Sequence, residues 1–174
     1  MRRAIKLLLW FGVFVVLVYV VGRLLLFDVY ELGYNDMAPT LVAGDQVLVY
    51  RHGTPDLGDI VVCDDPQDAT RRVVGRVVGL PGSTVAIERG LLKINNVVAR
   101  TEGAEQGRFR LIDVPNHGYE YNLARTRELL GNNPHDIVTM PSRSIELRAR
   151  RVQRGLFLLS DSRTLGRDSS HYGE

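Results

Sequence analysis

Few residues in this chain could take or give a proton near neutral pH. There are two lysines, Lys6 and Lys93, four histidines, His52, His117, His135 and His171, and one cysteine, Cys63. A single cysteine excludes an internal disulfide and a cysteine-based metal cluster, so folding rests on packing. Arginines are plentiful, but a guanidinium stays protonated at any working pH and cannot serve as a general base. Among the carboxylates, Asp36 stands in the turn Asn35-Asp36-Met37-Ala38-Pro39-Thr40-Leu41, just beyond a long apolar run. As an acid or base it would need a partner carboxylate and an activated water, for which Asp161 and Asp168 are the candidates. The competing reading is an aspartate that is solvated or paired with Arg72 or Arg76. Pro39 fixes φ and disfavours helix at Ala38, so the segment is expected to be extended and turn-like. Met37 and Leu41 carry flexible apolar side chains suited to a bilayer edge. With Pro39 they are candidates for contact with a membrane or a bound peptide.

The positioning elements begin with an anchor. Arg2, Arg3 and Lys6 precede Leu7–Phe27, which holds one charge, Arg23, near its outer end. About 20 helical residues cross a hydrocarbon core, and Arg23 can snorkel. The basic tip places the N-terminus in the cytoplasm. Bulky residues and Arg23 stand where a cleavage site would fall, so an uncleaved anchor is expected. Residues 1–27 are then a single-pass anchor of the plasma (inner) membrane, and residues 28–174 a periplasmic or extracellular domain. The charge balance, 22 basic against 20 acidic residues, calls for no nucleic-acid partner. Six arginines between Arg143 and Arg163 alternate with apolar residues, which fits a solvated strand face.

The outer domain reads as short strands divided by Gly, Pro and Asn turns. Strands are expected at Gln46–Arg51, Ile60–Cys63, Arg71–Gly79, Thr84–Glu88, Leu91–Ile94, Val97–Arg100, Ser144–Arg150 and Leu156–Ser160. Arg89-Gly90 and Asn95-Asn96 are expected turns. Residues 101–141, polar and with Gly103, Gly107, Gly118 and Gly131, read as an insertion or cap. Tyr121, Ala124, Arg125, Glu128 and Leu129 have helical spacing, ended by Gly131 and Pro134. Residues 163–174 read as a polar loop. The class is mainly β, a transmembrane helix followed by a coiled or barrel-like antiparallel domain.

Four stretches in order resemble the bacterial type I signal peptidases. Asp36-Met37-Ala38-Pro39-Thr40-Leu41 is similar to Ser-Met-x-Pro-Thr-Leu, and Gly58-Asp59-Ile60-Val61 to Gly-Asp-Ile-Val. Arg76-Val77-Val78-Gly79-Leu80-Pro81-Gly82 resembles Lys-Arg-Val-Ile-Gly-Leu-Pro-Gly without its lysine. Ser160-Asp161-Ser162-Arg163, with Asp168-Ser169 and Tyr172-Gly173, resembles Gly-Asp-Asn-Arg followed by Ser-x-Asp-Ser-Arg and Trp-Gly. Together they span Asp36 to Gly173.

The resemblance implies a Ser/Lys dyad. A serine attacks the scissile carbonyl, a neutral lysine takes its proton, a second hydroxyl positions the lysine, and a backbone N–H helps form the oxyanion hole. The corresponding positions here are Asp36 for the nucleophile, Gly75 for the lysine and Gly166 for the positioning serine. Tyr34 falls on a supplementary oxyanion hydroxyl. A register slide of four residues would bring Arg71 to the lysine's place. Relatives that use histidine draw attention to the four histidines, of which only His171 approaches the cleft. Asp161, Arg163 and Asp168 keep charges that would tie the fourth stretch to the sheet. The resemblance thus implies a peptidase homologue without peptidase activity, which binds signal peptides or preproteins, or sits beside an active signal peptidase or secretion complex. The alternative is an active peptidase with non-standard groups. No cofactor and no metal are expected.

Overall fold

The computed structural model describes residues 2–102, 107–113, 117–131 and 133–174. Parts of the expected cap, Gly103 among them, lie outside these residues. The chain divides into two compact units, 1–30 with 46–54 and 31–45 with 55–174.

In the first unit, α1 (Arg2–Leu26) carries the apolar run. Its stretch Ile5–Arg23 has a mean hydropathy of 2.4 and is long and apolar enough to cross a membrane. The large side chains from Leu7 to Val21 are all exposed, an apolar surface of the kind hydrocarbon covers. The helix stops one residue before the expected end, because Phe27 opens β1 (Phe27–Glu31), which pairs with β2 (Gln46–Tyr50). The rings of Phe27 and Tyr50 lie 5.5 Å apart, and Arg51 Nη2 stands 3.3 Å from Asp28.

The second unit continues with β3 (Ile60–Asp65), β4 (Asp68–Gly79), β5 (Thr84–Glu88), β6 (Leu91–Ile94), β7 (Val97–Val98) and β8 (Arg100–Glu102). Then follow β9 (Arg108–Asp113), β10 (Tyr119–Leu130), β11 (Asn133–Thr139), β12 (Leu147–Arg151), β13 (Phe157–Leu159) and α2 (Ser169–Tyr172). Three antiparallel sheets result, in the orders β13-β4-β3, β12-β5-β6-β7 and β11-β10-β8, with β9 also on β10. The fold is mainly β behind an apolar N-terminal helix. Both two-residue turns take positive φ at each position, Arg89 and Gly90 at 52° and 76°, Asn95 and Asn96 at 51° and 67°. Those angles match the twist of tight hairpins.

Three sequence expectations are corrected. Residues 121–129 are not helical but lie in the twelve-residue β10, paired with β9, β8 and β11. Leu123 and Leu130 are both buried, and seven residues apart on a strand they point to opposite faces. Leu123 joins Ala38, Leu111 and Val138, while Leu130 joins Val78, Val85 and Phe157. A strand covered on different faces at its two ends loses its alternation and mimics helical spacing. Gly131, at φ 61°, turns the hairpin instead of ending a helix. Second, Val97–Arg100 divides between β7 and β8 in different sheets. Third, the polar stretch 163–174 holds α2, whose first turn is capped by Asp168.

β4 is the spine of the site. Its first half, 68–72, is exposed, and residues 75–79 are buried. β3 pairs with it from Asp68 to Arg76, whereas β13 reaches only Arg76 to Gly79. On the β13 side, no strand among the described residues pairs with β4 before Arg76.

Candidate active site

The turn at 35–41 folds on itself. Thr40 and Leu41 N–H donate to Met37 O at 2.9 and 3.0 Å, and the Ala38–Pro39 peptide is cis. Asn35 fastens it, donating to Asp113 Oδ1 at 2.8 Å and accepting Ala43 N–H at 2.9 Å. Met37 and Ala38 are fully buried. Met37 therefore anchors the turn from within and has no surface for a membrane or peptide, contrary to the expectation from its flexibility. Pro39 and Leu41 are half-buried.

Asp36 is bound to the fourth stretch. Its carbonyl accepts Ser162 N–H at 2.9 Å. Burial, with the Asp168 carboxylate next, pushes its carboxyl up to about 6, while a hydrogen bond from Arg167 N–H and the Arg167 charge oppose the rise and Asp113 adds to it. The arginine acting on Asp36 is thus Arg167, not Arg76. Arg76 is committed to Asp161, Nε to Oδ1 at 2.8 Å and Nη2 to Oδ2 at 2.6 Å, and its Nη1 donates to Gly58 O at 2.8 Å. Thr40 Oγ1 donates to Asp161 Oδ2 at 2.5 Å. With both oxygens engaged and no exposure, Asp161 cannot act as the second carboxylate of an acid–base pair. Asp168 can approach Asp36 electrostatically, but it also holds backbone: Oδ2 accepts Ser160 N–H at 2.9 Å, and Oδ1 accepts Ser170 N–H and Oγ at 3.0 and 2.6 Å.

Arg163 reaches β10 instead of β4, donating to Glu128, whose Oε2 also lies 3.2 Å from His135 Nε2. Burial alone would raise the Glu128 carboxyl, yet Arg163 and His135 outweigh it and hold it low. His135 is thereby occupied. His171 is exposed, 3.6 Å from Asp168. Arg71 lies over the Tyr34 ring at 5.6 Å, with Nη2 3.4 Å from the phenol oxygen. Both side chains are exposed.

At the two glycine positions, geometry says what the sequence could not. A Cβ on residue 75 would meet Leu158 Cβ at 2.8 Å, and one on residue 166 would meet Ser160 Cβ and Oγ at 2.2 and 2.3 Å. Neither place has room for a side chain until its neighbour moves. Leu158, Arg167 and Asp113 were not legible as site residues, because each acts by space or charge and matches no motif residue, and Ser160, though it opens the fourth stretch, acts through its nearness to residue 166.

A profile described as "Signal peptidase, peptidase S26" matches residues 4–174. The chain belongs to that signal peptidase family. Signal peptidase I of Pseudomonas aeruginosa is 25% identical over 179 aligned residues, 92% of this chain and 60% of the relative. Signal peptidase I of Streptococcus pneumoniae is 39% identical over 62 residues, 36% of this chain and 30% of the relative. Probable signal peptidase I-1 of a Synechocystis species is 34% identical over 87 residues, 42% of this chain and 44% of the relative. The matches span between three tenths and three fifths of those relatives' lengths. Among the described residues, no cluster of His, Cys, Asp and Glu could hold a metal ion.

Proposed function

We propose that this signal-peptidase homologue is membrane-anchored through α1 and binds extended peptides without cleaving them. The observation that carries the proposal is that, among the described residues, β4 has no strand partner on its β13 side before Arg76, at a site whose family serine and lysine positions hold Asp36 and Gly75. An extended peptide can add to such an edge through main-chain hydrogen bonds. At its inner end stand Asp36, a carboxylate where an attacking hydroxyl is needed, and Gly75, where Leu158 fills the approach. Signal peptides or preproteins are the occupants such an edge favours, with an active signal peptidase or a secretion complex as partner. Arg2, Arg3 and Lys6 favour a cytoplasmic N-terminus and an outer-face domain.

A second reading is an active peptidase in which Asp36 works as acid or base. The raised proton affinity of Asp36 beside Asp168 favours it. One assay separates the two. Full-length protein in detergent is mixed with a fluorescent signal peptide, and binding and cleavage are followed together. Saturable binding with no product supports the proposal, while cleavage that disappears in Asp36→Ala sinks it.

A further inference from the structure

Ser160 is fully buried, and its Oγ has no hydrogen-bond partner. An unpaired hydroxyl in a protein interior is rare enough to require an explanation. The backbone of Ser160 is fixed, because its N–H donates to Asp168 Oδ2 at 2.9 Å. The Oγ stands 2.3 Å from the point that a Cβ on residue 166 would occupy, and Ser160 Cβ stands 2.2 Å from it. The two positions cannot both carry a side chain. In the motif that the fourth stretch resembles, the residue matching Ser160 is glycine and the residue matching Gly166 is serine. The chain thus has the reverse assignment at both ends of one contact.

We infer that Ser160 and Gly166 share a single side-chain slot, and that the positioning hydroxyl of the family has been transposed to Ser160 in this chain. This rests on reading the cleft as that of a signal peptidase without nucleophile and base. Leu158 supports it from the neighbouring slot. It precedes Ser160 by two residues, and its Cβ lies 2.8 Å from a Cβ on residue 75. A lysine side chain extends roughly 6 Å from its Cα, at about 1.5 Å per bond before the zigzag. With Leu158 cut back, an amine on residue 75 would extend through the space that Leu158 occupies, two residues along the chain from Ser160. The chain keeps the positioning group and has lost the group to be positioned. An exchange of this kind leaves the slot filled once, which explains how both substitutions coexist in a well-packed interior.

The test is a double-variant cycle on full-length protein in detergent, read by the urea midpoint. Gly166→Ser alone lowers the midpoint, and adding Ser160→Gly restores it to the wild-type value. A single Gly166→Ser variant as stable as wild type, or a pair no better than that single, overturns the shared slot. If Gly166→Ser alone yields no folded protein, recovery of folded protein on adding Ser160→Gly is the supporting result, and no recovery is the overturning one. The hydroxyl's role is read in a Gly75→Lys, Leu158→Ala background by NMR titration of the introduced amine. Its midpoint is the same with the hydroxyl on residue 160 or, after the exchange, on residue 166. It moves by about half a pH unit or more when neither residue carries one. Equal midpoints in all three forms overturn the positioning role. Neither readout involves peptide binding or cleavage, so this inference and the proposed function fail separately.

Discussion

Arg76 grips Asp161 with two parallel hydrogen bonds, at 2.8 and 2.6 Å, and so joins the buried half of β4 to the segment that leaves β13. The pair is nearly solvent-free, with side-chain exposures of 7% and 0%. Removing one member leaves the other charged and dry, at a cost of about 3–5 kcal/mol. Asp161→Ala and Arg76→Ala are expected to lower unfolding free energy by that order, read by urea denaturation in detergent. Thr40→Val removes one of the bonds to Asp161 and leaves the ion pair, so its cost should be smaller, about 1.5–3 kcal/mol. A Thr40→Val loss equal to that of Asp161→Ala would mean the turn, not the ion pair, sets the stability.

Asp36 gives the site a pH dependence of unusual sign. Its carboxyl is raised from 3.8 to about 6 by burial and by Asp168, with Asp113 adding and Arg167 opposing. The folded state therefore holds this proton more tightly than the unfolded chain does. Well below pH 3.8 the group is protonated in both states and contributes no penalty. Between pH 4 and 6 ionisation increasingly disfavours the fold, and above 6 the penalty is complete. At 1.36 kcal/mol per unit it is on the order of 2–3 kcal/mol. Asp36→Asn is expected to be more stable than wild type at pH 8, with most of the difference gone at pH 4. An equal difference at both pH values would show that the amide acts through packing and not through charge.

The fold was largely readable from composition and turns. Glycine and asparagine placed the hairpins, because positive φ is a local demand that they meet at least cost, and proline marked turns through its fixed φ. The anchor was readable because hydrocarbon thickness fixes its length. β10 was not, since its two ends face different cores and its burial carries no period of two. The missing groups of the site were legible as Asp36, Gly75 and Gly166, since absence of a functional group is a property of residue type. The tenants of their space were not. Leu158 and Ser160 matter through 2.8 and 2.3 Å approaches to the places where a Cβ on residues 75 and 166 would stand, and which segments approach each other is set by the fold. Met37 was misplaced for a related reason. An apolar side chain beside an anchor reads the same whether it faces lipid or the protein interior.

Gly75 and Leu158 should couple as closely as Ser160 and Gly166. A Cβ on residue 75 presses on Leu158 Cβ, close to the backbone, where no rotamer change gives relief. Gly75→Ala is expected to cost about 1–3 kcal/mol by overpacking. Leu158→Ala leaves Cβ in place, so it relieves the contact only as far as the emptied side-chain volume lets β13 shift. The pair should thus be more stable than the two single losses predict, by about 1 kcal/mol. Strict additivity would mean that β4 and β13 already have slack, and that Gly75→Lys would fit without a second change.

Glu128 binds β10 to the fourth stretch through Arg163, in a site where both side chains are 3% exposed. Among the described residues, Arg163 Nε and Nη1 find no hydrogen-bond partner, and the carboxylate its Nη2 meets is that of Glu128. Glu128→Gln keeps the shape and removes the charge, leaving an uncompensated cation, and should cost about 3–5 kcal/mol at pH 7. The carboxyl is held below its ordinary value by Arg163 and His135, against burial. Its contribution is therefore complete above the unfolded value near 4.5 and is lost as pH falls through the lower folded value. The gap between wild type and Glu128→Gln should close on acidification below pH 4, as the Asp36→Asn gap does, but with the opposite sign, since Glu128→Gln is less stable than wild type at high pH and Asp36→Asn more stable. Urea midpoints of both variants across pH 3.5 to 8 would display the two trends, and a Glu128→Gln gap that is constant with pH would show that the Glu128–Arg163 contact is not ionic.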